Sequence, residues 1–365
     1  MKMLNQKIAN SIVEETSIRL HRNVNIMNTE GVIIATRDTS RIGSFHEGAL
    51  EVLQSGETRI ISVKQESRGG TQPGVNLPIV FQEKIIGVIG ITGDPSEMGD
   101  VGELVKMTTE LMIRQEFVVS QMEWKQRTKE MIMEQLMKKE PSFTDIDRGL
   151  SLLRINFQQP FTTLVIQITE RSITNQKLIQ KLEETIGDEN GIVAFINVNR
   201  LIIATSGLKG EEVKRKIESV YTVLKKQNVV FRIAYSLPFY KLEEFSQAYL
   251  DCDITLKIIE HEKEVISFAE IEAKALIYQV DDDITERFSY RVLGNLDENK
   301  ASTLEAFFEN DLNIQKVADD LYVHRNTFIY RLHKIIEETG YDPRKFRDAL
   351  ILQVALWIWR KSGER

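Results

Sequence analysis

Cysteine is nearly absent. Cys252 is the single one in 365 residues, which excludes an intramolecular disulfide and any cysteine-rich zinc site. Long apolar runs are missing too: nothing reaches the ~20 residues that a bilayer-spanning helix requires. The longest candidate, residues 75–91, is interrupted by Pro78, Gln82, Glu83, Lys84 and several glycines. Residues 1–12 mix polar and apolar side chains without a small-residue cleavage site, so no secretory signal is expected and the cytoplasm is the expected location. The five histidines, at 21, 46, 261, 324 and 333, are scattered. There is no P-loop, no GxSxG, no HExxH and no Cys/His pair, so neither catalytic residues nor a metal site nor a cofactor is expected. A basic excess is also lacking. The net charge of −7 argues against non-specific coating of nucleic acid, although sequence-specific DNA binding needs only a local basic face.

What is present is an ordinary globular composition, 42% hydrophobic and 28% charged, in a chain long enough for two or three domains. Residues 4–19 carry apolar side chains at 4, 8, 12 and 13, a helical stripe. Residues 24–28 and 31–36 read as strands about a turn at Asn28 to Gly31, residues 41–54 as a helix and 59–64 as a strand. Residues 76–82 and 85–92 pair around Glu83 and Lys84. Residues 101–138 form a long helical pattern that ends before Pro141. Its apolar positions 101, 104, 111, 118 and 122 keep partial heptad spacing, with Thr108 and Gln115 at other seam positions. The stripe is either a dimer seam or a face packed on its own domain.

From residue 161 to about 268 strands and helices alternate. Strands are predicted at 161–169, 191–197, 201–206 and 229–235, and helices at 177–186, 211–226 and 242–260. This pattern suggests an antiparallel or mixed sheet with helices on one side, with a hairpin turn at Asn197, Val198, Asn199 and Arg200. Asp281, Asp282 and Asp283 read as a solvated acidic linker rather than a metal site. Residues 286–359 are almost entirely helical in pattern, and no internal repeat is evident.

The last 65 residues hold ten Lys/Arg and ten Asp/Glu, yet between His324 and Lys334 the three cations Arg325, Arg331 and Lys334 face no acidic residue. Asn313 precedes a short amphipathic helix containing the small Ala318. Tyr322 and Val323 form a turn, and His324 caps the next helix. On that helix Phe328, Leu332 and Ile335 fall on one face at i, i+4, i+7, while Thr327, Tyr330, Arg331 and Lys334 fall on the other. A recognition helix in the major groove needs this division, with arginine gripping guanine and Thr or Asn bonding base edges or phosphate. The competing reading is a helical hairpin whose wet side merely carries charge.

These residues closely resemble the PucR-type helix-turn-helix domain: Leu304 to Phe308 (LEAFF), Asn313, Ile314, Ala318, Leu321, His324, Arg325, Asn326, Thr327, Tyr330, Arg331, Leu332, Thr339, Gly340, Ala355 and Leu356. Tyr322 departs from helix-turn-helix proteins generally, where glycine is common, and carries a penalty if the turn needs a positive φ. The N-terminal region resembles the sugar-diacid recognition domain of the carbohydrate diacid regulator family, through residues 31–36 (GVIIAT), Asp38, Arg41, Ile42, Gly43, His46 to Ala49, 73–79 (PGVNLPI) and 86–93 (IGVIGITG). The family's middle domain is related to GGDEF cyclases. Here the turn at 197–200 lacks the glycines and carboxylates that phosphate and metal binding need, so cyclase activity is not expected.

The resemblance implies an α+β multidomain chain. It comprises a PAS-like α+β sensor (1–100), a connecting helix (101–140), a degenerate GGDEF-like α+β domain (141–280) and an all-α helix-turn-helix domain (281–365). It implies a transcription regulator, an activator, responding to a sugar diacid or a small hydroxy acid such as glycerate, glycolate or glucarate. Its expected partners are double-stranded DNA, a small carboxylate effector and a second copy of itself, with no membrane. Expected DNA-binding residues are His324, Arg325, Asn326, Thr327, Tyr330, Arg331 and Lys334. For the effector, Arg41 can clamp a carboxylate, His46, Asn76 and amides beside Gly43 or Gly74 can hold the other end, and Asp38 can orient Arg41. Each has a plainer alternative: Arg41 pairing with Asp38, His46 on a helix surface, the glycines serving turns. The runner-up function is a nucleotide-sensing or degenerate cyclase-type signalling protein whose middle domain binds the ligand.

Overall fold

The computed structural model describes residues 4–61, 73–187, 189–258, 263–294 and 296–363, and the chain divides into two compact units, Met1–Arg127 and Thr128–Arg365.

In the first unit α1 (Gln6–Leu20) begins at Asn5, whose side chain accepts from the Ile8 amide. It is followed by β1 (Val24–Met27), β2 (Ile33–Thr36), α2 (Glu47–Ser55), β3 (Arg59–Ile61), β4 (Gly74–Phe81) and β5 (Lys84–Thr92). The strands form an antiparallel sheet of order β2-β1-β5-β4-β3, the PAS-like sensor layout. Period-2 alternation divides its faces. Val24, Ile26, Val75, Leu77, Ile79, Ile89 and Ile91 pack with Ala9, Ile12 and Val13 of α1. Met27, Ile33 and Val88 turn the other way, against Ala49 and Val52 of α2.

The helix expected over 41–54 starts only at Glu47. Residues 42–46 are tied to β2 instead: Gly43 donates to Ile33 O, Ser44 O accepts from Ile33, and Phe45 bridges to Val32. Of the strand expected at 59–64, residues 62–64 lie outside the described residues.

The helix α3 (Gly99–Leu136) is 38 residues long. In its first half Val105 and Ile113 are buried against the α1 face of the sheet, and Phe117 meets Phe81 edge-on at 5.1 Å. On its opposite side Leu104, Leu111, Val118 and Met122 are exposed. One face of the long helix is therefore packed on its own domain, while the face with the heptad spacing is left uncovered.

In the second unit the last turns of α3, through Ile132, Met133 and Leu136, join a core with Ile146 and Leu150 of α4 (Phe143–Leu153). The sheet comprises β6 (Phe161–Glu170), β7 (Gly191–Asn197), β8 (Arg200–Ser206), β9 (Val230–Tyr235) and β10 (Val265–Ser267), in the order β10-β9-β6-β8-β7. Only β10 is parallel to its neighbour.

Helices cover both faces of this sheet, not one side as the pattern suggested. Leu164, Ile166, Leu201 and Ile203 face α5 (Asn175–Ile186) and α6 (Glu211–Lys226), while Val165, Ile202 and Ala204 face α4 and α7 (Phe245–Ile258). The strands are apolar on both sides, as strands buried on both faces are; α4, β10 and α8 (Phe268–Tyr278) were not anticipated.

The acidic run at 281–283 is likewise not a linker. Asp281 accepts from the amides of Asp283 and Ile284 and so caps α9 (Asp282–Leu293), while Asp282 pairs with Lys361. Carboxylates at a helix start satisfy orphan amides and the dipole. Four more helices follow: α10 (Glu298–Glu309), α11 (Ile314–Asp320), α12 (Arg325–Thr339) and α13 (Phe346–Gly363). Among the described residues no helix is long and apolar enough to cross a membrane.

Candidate nucleic-acid interface and effector site

Each end of the α11–α12 pair is set by a side chain. Asn313 accepts from the amides of Gln315 and Lys316 at the start of α11. His324 Nδ1 accepts from the Asn326 amide, 3.2 Å away, at the start of α12. Between them the chain turns through Tyr322 at φ 54°, with a side chain 96% exposed. The turn does require the left-handed backbone that glycine adopts without cost. Val317 and Ala318 are buried, and Ala318 O takes the Val323 amide, which closes the turn.

The faces of α12 separate as its spacing demands. Phe328, Leu332 and Ile335 are buried against Leu304, Phe307, Leu352 and Leu356, with Phe328 and Phe307 rings 5.6 Å apart. His324, Arg325, Asn326, Thr327, Tyr330 and Arg331 are all exposed. Arg325 and Arg331 form no ion pair among the described residues.

Lys334 differs. Its ammonium lies 2.7 Å from Glu337, a hydrogen bond that holds its pKa above the ordinary value, and it sits over the Tyr330 ring at 5.7 Å. The acid-free window seen in sequence closed three residues too early, so Lys334 does not face solvent unopposed. The exposed cations of this face without an ion partner among the described residues are Arg325 and Arg331.

The second candidate site lies under α2. His46 caps that helix through its backbone alone, without a side-chain cap bond. It is 8% exposed and its Nδ1 is buried with no hydrogen-bond partner. His46 is thus not a helix-surface residue. Burial, with the Arg41 charge added, holds its pKa below the ordinary histidine value and so favours the neutral ring.

Asn76, 3% exposed, reaches the same place from β4. A Cβ built on Gly48 would stand 2.7 Å from Asn76 Nδ2 and 3.5 Å from His46 Cε1; one built on Gly90 would stand 2.6 Å from Asn76 Oδ1. The two glycines clear the space in which the amide lies.

Arg41, half-buried, ends a short turn (Thr39–Arg41) that Asp38 caps: Asp38 accepts from the Ser40 amide and hydroxyl, which lowers its pKa. No Arg41–Asp38 ion pair occurs among the described residues. Gly43 serves the turn at φ 83°, its amide already given to Ile33 O. Gly74 lies against β5, where a Cβ would strike Ile91 O at 2.2 Å.

The registers extend this site beyond the residues the sequence singled out. Thr36 pairs with Asn25, Asn25 with Gly90, Gly90 with Asn76 and Asn76 with Arg59. Directly opposed residues share a face, so one polar lane crosses all five strands on the α2 side. Thr36, Asn25 and Asn76 are buried in it. The signal was present in the alternation: Asn25 lies between Val24 and Ile26, and Asn76 between Val75 and Leu77, as polar residues at inward positions.

In the middle domain the 197–200 turn is a hairpin braced by arginines. Arg171 donates to Val198 O at 2.8 Å and stacks on Phe195, while Arg200 donates to Gln167 and pairs with Asp253.

Residues 4–136 match the family model for sugar diacid recognition, residues 138–258 that of a GGDEF-like domain, and residues 301–358 that of the PucR C-terminal helix-turn-helix domain. A carbohydrate diacid regulator of Escherichia coli is 27% identical over 378 aligned residues, covering 97% of this chain and 98% of that protein. The uncharacterized protein YsfB of Bacillus subtilis is 27% identical over 360, covering 96% and 97%. Among solved structures, a regulator of polyketide synthase expression from Bifidobacterium adolescentis shares 21% identity across 64% of this chain and 93% of that chain, at a TM-score of 0.32.

Proposed function

We propose that this chain, which has the domain make-up of the carbohydrate diacid regulator family, is a cytoplasmic, effector-gated transcription activator of genes for using a sugar diacid or a small hydroxy acid. The observation that carries the DNA-binding part is the split of α12, with Phe328, Leu332 and Ile335 sealed in the core and Thr327, Tyr330 and Arg331 turned outward. A helix so divided lies in a major groove without disturbing the bundle that holds it. The residues assigned to DNA are His324, Arg325, Asn326, Thr327, Tyr330, Arg331 and Lys334, the last after release from Glu337. Those assigned to the effector are Arg41, His46 and Asn76, with Gly43 and Asp38 shaping the turn that carries Arg41.

A second copy fits the uncovered side of α3. Leu104, Thr108, Leu111, Gln115, Val118 and Met122 follow a strict 4-3 spacing, and all are exposed, as are Met107 and Val119 beside them. At roughly 100 Å² of uncovered surface per such side chain, the seam offers on the order of 800 Å² per helix, close to what each partner gives a standard interface. In a parallel pairing Thr108 and Gln115 each face their own counterpart, and polar residues at such positions set register.

In this reading the effector binds one arrangement of the sensor better than another, and the difference passes along α3 to the spacing of two recognition helices. A ligand shifts such an equilibrium only by its differential affinity. The test is DNA affinity of the full chain with and without glycerate, glycolate, glucarate or galactarate. At least one acid changes the affinity several-fold in the wild type, and Arg41→Ala keeps basal DNA binding but loses the response. No response to any of them in the wild type contradicts the effector assignment. The runner-up, a nucleotide sensor in the middle domain, is less favoured because the hairpin lacks glycines for phosphate to approach, and its arginines brace the turn, Arg200 on Asp253 and Arg171 on Val198 O.

A further inference from the structure

The first turn of α2 is an uncapped helix N-terminus pointing into a buried polar site. By helix geometry the first amides have no internal acceptor. The Ala49 amide turns back to His46 O, whereas those of Glu47 and Gly48 have no acceptor among the described residues. His46 offers no side-chain cap, yet its imidazole is more than nine-tenths buried and its Nδ1 is unpartnered. Buried polar groups without partners are rare and call for an explanation. Beside this turn lies the Asn76 amide, which fits between Gly48 and Gly90 because neither carries a Cβ.

We infer that the carboxylate of the effector is seated on the N-terminus of α2, held by the amides of Glu47 and Gly48 and by His46 and Asn76, and that its hydroxyls lie along the lane toward Asn25 and Thr36. This rests on the effector reading given above and specifies how that site recognises its ligand.

Three features select this chemistry. Helix N-terminal amides and the aligned backbone dipole favour an anion. A carboxamide and an imidazole whose protonation burial disfavours contribute directional donors without a second full charge, and the Arg41 charge acts on His46, so the seat suits a single carboxylate. Beyond Gly90 the lane continues through Asn25 and Thr36, which donate and accept as hydroxyl groups do and carry no fixed charge, while Arg59 at its other end pairs with Glu51. The ligand class is therefore a hydroxylated carboxylate. Glycine is required at 48, since a Cβ there would meet Asn76 Nδ2 at 2.7 Å and Ile61 Cδ1 at 3.0 Å.

The test is calorimetric titration of the full chain with glycerate, glucarate and uncharged glycerol, using wild type, Gly48→Ala and Asn76→Asp. The second variant keeps the shape of the side chain while placing a negative charge where the ligand's own must sit, so the inference stays testable if Gly48→Ala does not fold; melting curves check both. The wild type is expected to bind at least one acid and not glycerol, and each folded variant to bind it at least tenfold more weakly. If the wild type binds an acid and Asn76→Asp binds it equally well, the seat is overturned while the effector reading stands. If neither acid binds the wild type, the seat is overturned, and the effector reading falls with it when glycolate and galactarate also fail to bind.

Discussion

Tyr322 and His46 are single residues held at a cost to the fold. Tyr322 adopts φ 54°, and its side chain is 96% exposed, so it gains almost nothing from packing in return for left-handed backbone. That conformation costs an L-residue about 1–2 kcal/mol. Tyr322→Gly is expected to stabilise the protein by about 1 kcal/mol, read as a higher midpoint for the helical C-terminal region in urea. An unchanged or lower midpoint would show that the ring makes a compensating contact.

His46 is the titratable counterpart. Its folded pKa lies below the unfolded value of about 6.5. The unfolded chain therefore binds the proton more tightly, and stability is full above that value and declines as pH falls through and below it. Between pH 7.5 and 5.5 the wild-type melting temperature should fall more steeply than that of His46→Gln, measured in the same buffers without effector. Parallel curves would mean that His46 is not held neutral by burial.

Among elements, α12 was the most legible from sequence because its period, cap and turn all agree. Phe328, Leu332 and Ile335 recur at helical spacing, His324 caps it, and Gly340 ends it in the left-handed region. The sheets of the middle domain were legible for a similar reason: their strands are continuous apolar runs bounded by turns. What the pattern does not carry is which neighbour covers a strand that is apolar on both sides, and so the second layer of helices and the parallel β10 were missed. The helix α2 starts later than its pattern suggests because residues 43–46 bond back to residues 31–33, a contact that local propensity does not encode.

The seam of α3 was visible as spacing, but only burial separates its two faces, with Val105 and Ile113 inward and Leu104 and Leu111 outward. If that outward face is a dimer seam, Leu111→Glu places a charge in the middle of it and should convert a dimer to a monomer in sedimentation velocity at micromolar concentration. A wild type that already sediments as a monomer, or a variant that remains dimeric, would remove the seam from the account.

At the scale of the whole molecule, the site proposed for the effector is where sequence reading was least complete. Arg41, His46 and Asn76 could be singled out as donors, but the lane through Thr36, Asn25, Gly90, Asn76 and Arg59 exists only once five strands are in register. Residues far apart in sequence become neighbours through pairing, and no local motif announces them. The C-terminal interface needed far less assembly, because one helix and its cap contain nearly all of it.

The central claim is that the exposed face of α12 reads DNA sequence. Its most direct measurement is selection of duplexes from a random pool by the full chain, followed by affinity titration of wild type and Arg331→Ala on the selected site and on an unrelated duplex at fixed salt. A lost base contact costs about 1–3 kcal/mol. The account predicts that the wild type selects a defined site and that Arg331→Ala loses roughly tenfold or more there while changing little on unrelated DNA. Equal binding of the selected site by both proteins would contradict it.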